Sequence, residues 1–197
     1  MYEVRNVEVG EYKKKKVTIR TIIVGKEEDK QNKPTLVFCH GYGGSAAMFF
    51  RIMKPLAEKF YLILIDIIGM GASSRPKDYK EHKFSPAESI QYFNDYMEKW
   101  RIAMGNLTDF YLSAHSFGGY IMGNYATAYH KHIKKLLLVS PIGIIQRPDD
   151  FDMIKATKER FSKNSQKGPP NWALSAFGIA WKRKISVFGV ARTVGRK

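Results

Sequence analysis

Polar and apolar residues alternate along YEVRNVEV (2–9) and KVTIRTIIV (16–24), with the charged segment GEYKKKK (10–16) between them. A period of two marks strands that bury one face, so the two runs are expected to form a β-hairpin with KKKK as a wet turn. After the polar stretch GKEEDKQNKP the pattern changes. TLVFCH (35–40) and YLILID (61–66) are short uninterrupted apolar runs, which suit strands covered on both faces. Between them Phe49, Ile52, Met53, Leu56 and Phe60 recur at helical spacing.

SPAE (85–88) has the form of a helix start, with Ser85 as N-cap, Pro86 at the first helical position and Glu88 placed to close a capping box. Ile90, Phe93, Met97 and Trp100 then share one face. DFYLSAHS supplies another strand, FGGYIMGNYATAYHKH (117–132) a helix, and IKKLLLVSP (133–141) a last strand. A hairpin followed by βαβαβαβ predicts an α/β fold: a mostly parallel sheet with an N-terminal antiparallel hairpin and helices on both faces, binding ligands beyond the carboxyl ends of its strands. From IIQRPDD onward helical spacing is broken by GPP and no buried-strand pattern recurs. Residues 1–146 are therefore expected to form the core and 147–197 a basic helical cap or insertion.

Composition narrows the classes. A chain of 197 residues with 44% hydrophobic content has room for one domain with a sizeable core. No window is apolar over the length that crosses a bilayer, and the N-terminus lacks the layout of a secretory signal. A cytoplasmic location is the expectation, and the single cysteine, Cys39, fits a reducing compartment. The net charge of +15 is uneven, since residues 151–197 hold eleven Lys or Arg against two acids. Such a surface draws anionic lipid, nucleic acid or acidic partners. Nucleic acid ranks last, because the basic residues surround no docking motif and no aromatic stacking platform. GMGASS after YLILIDII fails as a dinucleotide fingerprint, as its third glycine is a serine and SSRP opens no helix. No P-loop is present, and neither a cofactor nor a metal is expected.

Candidate chemistry centres on SAHSFGGY (113–120). A serine on a sharp strand-to-helix turn needs small residues two before and two after it, and here Ala114 and Gly118 flank Ser116, with Gly119 adding room for helix packing. Attack by that serine on a carbonyl creates an oxyanion, which needs fixed N–H donors. Phe117, opening the next helix, offers one. HGYGG (40–44), after an earlier strand, offers a second through Tyr42 or Gly43, with Gly41 and Gly44 giving the loop its freedom. His115 is expected to point to the other side of the turn, and His40 to pin its own loop, so neither is read as a general base.

HGYGGSAAMFFR, DIIGMGASSRP, SAHSFGGY and LLLVSPIGI, in this order and spacing, resemble the α/β-hydrolase fold family. More narrowly they are similar to its phospholipid-handling branch, the abhydrolase domain-containing proteins four and five. That resemblance implies a serine hydrolase or acyltransferase acting on lipids such as lysophospholipids or N-acyl phospholipids, with Ser116 at the nucleophile position. It also implies an anionic membrane or lipid-droplet surface as partner, met by the basic cap with Trp172, Phe177 and Trp181. Family members place the acid and the histidine of the triad on loops after strands that follow the cap, whereas this chain stops inside the cap. His130 and His132 lie about 20 Å from Ser116 at helical rise. Asp149, Asp150 and Asp152 sit at the cap entrance. The chain by itself is therefore expected to be nearly inert, and the alternative is a non-catalytic module that binds a lipid surface or a partner.

Overall fold

Tyr2–Tyr12 (β1) and Lys15–Val24 (β2) pair antiparallel, and the inner faces of both carry valine or isoleucine at alternate positions. The strands run further into the charged segment than their hydropathy suggests, leaving only Lys13 and Lys14 as the turn. Cross-strand pairing explains the extension: Lys16 meets Glu8 at 2.8 Å, and the Tyr12 hydroxyl donates to the Lys77 carbonyl at 3.1 Å. The protein, described here from a computed structural model, is defined over residues 2–79 and 83–143. Beyond them only Asp152, Lys155, Ala156, Glu159, Pro170, Trp172, Ser175, Ala176 and Ile179 are defined.

Four strands follow: Thr35–Cys39 (β3), Tyr61–Ile65 (β4), Phe110–His115 (β5) and Ile133–Val139 (β6). The sheet order is β1-β2-β4-β3-β5-β6, with β3 parallel to β4 and β5, and β5 parallel to β6. Side-chain alternation sorts the sheet into two cores. Val37, Cys39, Ile63, Ile65, Leu112 and Ala114 point to one face, under helices α3 (Pro86–Ala103) and α4 (Phe117–Ala128). Leu36, Phe38, Leu62 and Leu64 point to the other, under α2 (Phe50–Lys59). The expected mostly parallel sheet with helices on both faces is the observed one.

Helix α3 starts as the sequence indicates. Glu88 N–H donates to Ser85 Oγ at 3.2 Å, Ser85 N–H donates to the Glu88 carboxylate at 2.7 Å, and Pro86 needs no partner for a missing N–H. Trp100 on this helix is fully buried and donates Nε1–H to Thr21 Oγ1 of β2 at 2.9 Å. Truncating a tryptophan so placed costs about 3–5 kcal/mol.

Three local readings differ from the sequence expectation. GKEEDKQNKP contains a short helix, α1 (Glu27–Asn32), whose entry is held by the Asp29 carboxylate accepting from Lys26 N–H at 2.7 Å. Ile52 is exposed, because the half-buried stripe that packs on the sheet runs through Phe49, Met53, Leu56 and Phe60, and Ile52 lies beside it. The strand β6 has a buried-strand pattern, yet Leu136, Leu137 and Val139 are exposed, since β6 is the outer strand among the described residues.

The connections set the position of the site. From β3 the chain crosses the α2 face out to β4, then returns over the α3 face past β3 to β5. The carboxyl ends of β3 and β5 therefore flank the topological switch point, where a crevice opens in sheets of this kind. Residues 1–145 form one compact unit and 146–197 a second. Lys155, Ala156, Glu159, Trp172, Ser175, Ala176 and Ile179 are helical, while the cap expected over 147–197, with Phe177, Trp181, Asp149 and Asp150, otherwise lies outside the described residues.

Candidate active site

One residue separates β5, ending at His115, from α4, starting at Phe117. That residue is Ser116, with φ 54° and ψ −117°, a conformation that L-residues with a side chain rarely adopt. Its neighbours hold it there. Ser116 N–H donates to the Val139 carbonyl at 3.0 Å, and the Ser116 carbonyl accepts from Tyr120 N–H and from Ile142 N–H, both at 3.2 Å. The bend is thus clamped by the end of β6 and the first turn of α4. Glycine at 118 is a packing requirement, because a Cβ there would collide with the His40 carbonyl oxygen. Gly119 packs on Pro141, where a Cβ would lie 2.8 Å from the Pro141 Cβ.

The loop after β3 meets this bend. A Cβ on Gly41 would lie 3.0 Å from the Ser116 Cβ. Gly44 N–H donates to the Gly41 carbonyl at 3.0 Å, closing a turn with Tyr42 and Gly43 at its centre, and Gly43 has φ 71°. A positive φ at the third turn residue is the type II pattern, which favours glycine. The turn therefore lies against the serine that precedes Phe117, the first residue of α4. Phe117 N–H belongs to the first turn of the helix, where the ladder supplies no acceptor.

His40 fixes the loop from below. Its ring is buried, with Nδ1 2.6 Å from the Gly41 carbonyl and Nε2 accepting from Ile67 N–H at 3.0 Å. This arrangement places the proton on Nδ1. Asp66, at the end of β4, accepts from Ala46 N–H at 2.5 Å and from Ala72 N–H at 2.7 Å, and lies 3.8 Å from His40 Nε2. Burial holds the His40 pKa below the ordinary histidine value, opposed in part by the hydrogen bond to Gly41 and by Asp66. Above the unfolded pKa of about 6.5 the neutral ring costs nothing, and as pH falls through that value the unfolded chain takes up a proton that the folded chain refuses. Thermal stability is expected to fall between pH 7 and pH 5, more steeply in the wild type than in His40→Gln; equal slopes in a scan of melting temperature would assign the acid sensitivity elsewhere.

Phe117 anchors an aromatic cluster. Its ring meets Tyr42 edge-on at 5.7 Å and Phe93 at 5.9 Å, and stacks on Tyr120 at 6.3 Å. These contacts tie α3, α4 and the loop after β3 around the serine. His115 lies on the α2 face beside Phe49, and a Cβ on Gly41 would stand 3.2 Å from its Nδ1, so it packs under the same loop without a hydrogen bond to the serine; His130 and His132 lie past the far end of α4 in a 3₁₀ turn. Among the described residues no side chain is hydrogen-bonded to Ser116 Oγ. Cys39 is fully buried, and burial raises its thiol pKa well above the ordinary range, as befits a small core residue. No metal-ligating cluster occurs among the described residues.

Sequence reasoning overlooked Asp66. A lone carboxylate ending the apolar run YLILID was the available signal, since a buried charge needs donors.

A six-stranded, mostly parallel sheet with a strained strand–serine–helix bend at its switch point defines an α/β-hydrolase core. The α/β hydrolase fold family model matches residues 34–185, and the chain belongs to that family. Within it, the chain is 43% identical over 120 residues to a 1-acylglycerol-3-phosphate O-acyltransferase of Arabidopsis thaliana, a match covering 61% of this chain and 28% of that protein. It is 31% identical over 161 residues to the (lyso)-N-acylphosphatidylethanolamine lipase of Mus musculus, covering 82% of this chain and 42% of that protein. The crystal structure of a membrane phospholipase A, a bacterial virulence factor, superposes with a TM-score of 0.61 at 20% identity, over 93% of this chain and 58% of that one. These curated relatives are longer, and the chain spans well under half of each.

Proposed function

We propose that Ser116 is the nucleophile of a serine hydrolase or acyltransferase whose substrate is a lipid ester or amide, such as a lysophospholipid or an N-acyl phospholipid. Ser116 Oγ attacks the acyl carbonyl, its proton passes to a base, and the developing oxyanion accepts from Phe117 N–H and from Tyr42 or Gly43 N–H. The leaving group departs protonated, and water or a lysophospholipid hydroxyl then releases the acyl group from the serine. The observation that carries this reading is the Ser116 backbone, held at φ 54° beside a loop of turn amides. Strain of this kind persists where surrounding structure enforces it, and it clusters at reacting groups. Losing one oxyanion donor costs about 10²–10³-fold in turnover.

No base reaches Ser116 among the described residues, so the base and its acid partner are assigned to the rest of the protein, and a form without them is expected to be nearly inert. Residual reactivity from the oxyanion donors remains, about 10³-fold over water in triads that lack a member. Slow labelling by a fluorophosphonate probe is expected, lost in Ser116→Ala and in the unfolded chain. Labelling equal in wild type and Ser116→Ala would refute the assignment.

The lack of a base on Ser116 among the described residues favours a second reading, a non-catalytic module that binds a lipid surface or a partner. Tight binding to anionic vesicles without any Ser116-dependent labelling would select it. With either reading we propose a cytoplasmic protein that meets membranes or lipid droplets peripherally.

A further inference from the structure

Strand β2 pairs with β4 only through Thr21–Val24, and Thr21 lies opposite Ile65, the last residue of β4. The rest of the hairpin therefore projects about 20 Å past the carboxyl ends of the parallel strands, the end at which Ser116 stands. Its tip carries Lys13, Lys14, Lys15 and Lys16, all exposed. The Tyr12 hydroxyl fastens the tip to the Lys77 carbonyl, and Thr18 N–H donates to Ser74 Oγ at 2.9 Å, so the segment holding Arg75 and Lys77 stands beside it. The nearby acids are Glu8, paired with Lys16, exposed Glu11, and Asp78, which accepts from the hydroxyls of Tyr92 and Tyr96 at 2.8 Å. Positive charge dominates this corner.

The turn itself presents charge at a backbone cost. Lys13 and Lys14 have φ of 50° and 60°, a two-residue type I′ turn in which Asn-Gly is the favoured pair. Lysine in both left-handed positions is strained; Lys13 Nζ lies 5.6 Å from the centre of the Tyr12 ring, and Lys14 is exposed. The segments that leave β3 and β6 at this end expose Tyr42, Met48 and Ile142, whereas exposed Phe50, which opens α2, lines a groove with Tyr2, Val4, Ile22 and Val24 of the hairpin.

We propose that the lysine tip of the β1–β2 hairpin docks the protein on an anionic phospholipid surface, with Arg75 and Lys77 beside it and exposed Tyr42, Met48 and Ile142, of the segments that leave β3 and β6 at the same end, turned toward the bilayer. The assignment rests on the reading of Ser116 as a lipid-directed nucleophile, and it accounts for how a membrane-borne acyl chain reaches the serine without a long transit through water. It differs from docking through the basic C-terminal segment, because it uses the β1–β2 hairpin, whose tip stands at the same end of the sheet as Ser116.

Co-sedimentation of the full chain with phosphatidylcholine vesicles, with and without phosphatidylserine, tests the proposal. Wild type is expected to bind the anionic vesicles and to be released by salt. Lys13→Asn/Lys14→Gly, which installs the favoured turn residues, is expected to weaken binding by about fivefold per lysine removed while its melting temperature stays level or rises. Lys15→Gln reports the same charge without altering the turn. A fluorophore on Met48→Cys, specific because Cys39 is buried, is expected to shift to the blue on vesicle binding. Unchanged binding in both lysine variants, equal binding to neutral vesicles, tighter binding to RNA, or an unshifted fluorophore would each overturn the proposal. Vesicle binding is read without catalysis, so failure of Ser116 labelling would remove the hydrolase reading and leave this measurement standing.

Discussion

Gly118→Ala is expected to destabilise the protein by about 3 kcal/mol, the upper part of the range for overpacking, because the obstacle is backbone and cannot rotate away. The new methyl would overlap the His40 carbonyl oxygen and lie 3.2 Å from Cys39 Sγ, so α4 must lift off β3. For a domain of this size that loss lowers the melting temperature by roughly 6–12 °C. Gly123→Ala is the control. It lies in the same helix, its added methyl meets only Leu138 Cδ1 at 3.9 Å, and alanine favours a helix over glycine by about 0.5–1 kcal/mol. Opposite signs in the two melting curves are the expected result. A Gly118→Ala protein as stable as wild type would mean that the close approach of α4 to β3 is wrong. Lifting α4 also moves Phe117 N–H, so serine labelling is expected to fall in Gly118→Ala and to persist in Gly123→Ala.

Asp66→Ala is expected to cost about 3 kcal/mol, by removing two charge-assisted hydrogen bonds and leaving the buried Ala46 N–H without an acceptor. Asp66→Asn keeps one acceptor and is expected to lose roughly half as much. The effect is directional as well as energetic. Ala46 follows the HGYGG turn, so hydrogen exchange of its amide is expected to accelerate by more than that of amides in β5. Uniform acceleration across the sheet would show that Asp66 supports general stability and does not anchor this loop.

Much of the fold is legible in the chain. The apolar runs TLVFC and YLILI have no polar face and so require cover on both sides, which places them in the middle of a parallel sheet. Ser85, Pro86 and Glu88 mark the start of α3 through local hydrogen bonds, which depend on no distant partner. Ala114, Ser116 and Gly118 mark the bend because small residues at that spacing leave room for it. Local signals failed where a distant group decides. Ile52 has helical spacing, but it lies beside the half-buried stripe that packs on the sheet. The segment GEYKKKK reads as a turn, yet Glu8 and Tyr12 draw the strands into it.

The sequence by itself determined which segments become strands and helices, and that a serine stands on a tight bend, since these follow from hydrophobic period and residue size within a few neighbours. Only the tertiary structure decided how closely the turn after β3 approaches that serine, that Asp66 joins His40 in holding the turn in place, and that the lysine tip shares an end with Ser116. Those relations join residues separated by dozens of positions. They follow from strand order and register, which hydrogen bonding between strands sets and which no local period encodes.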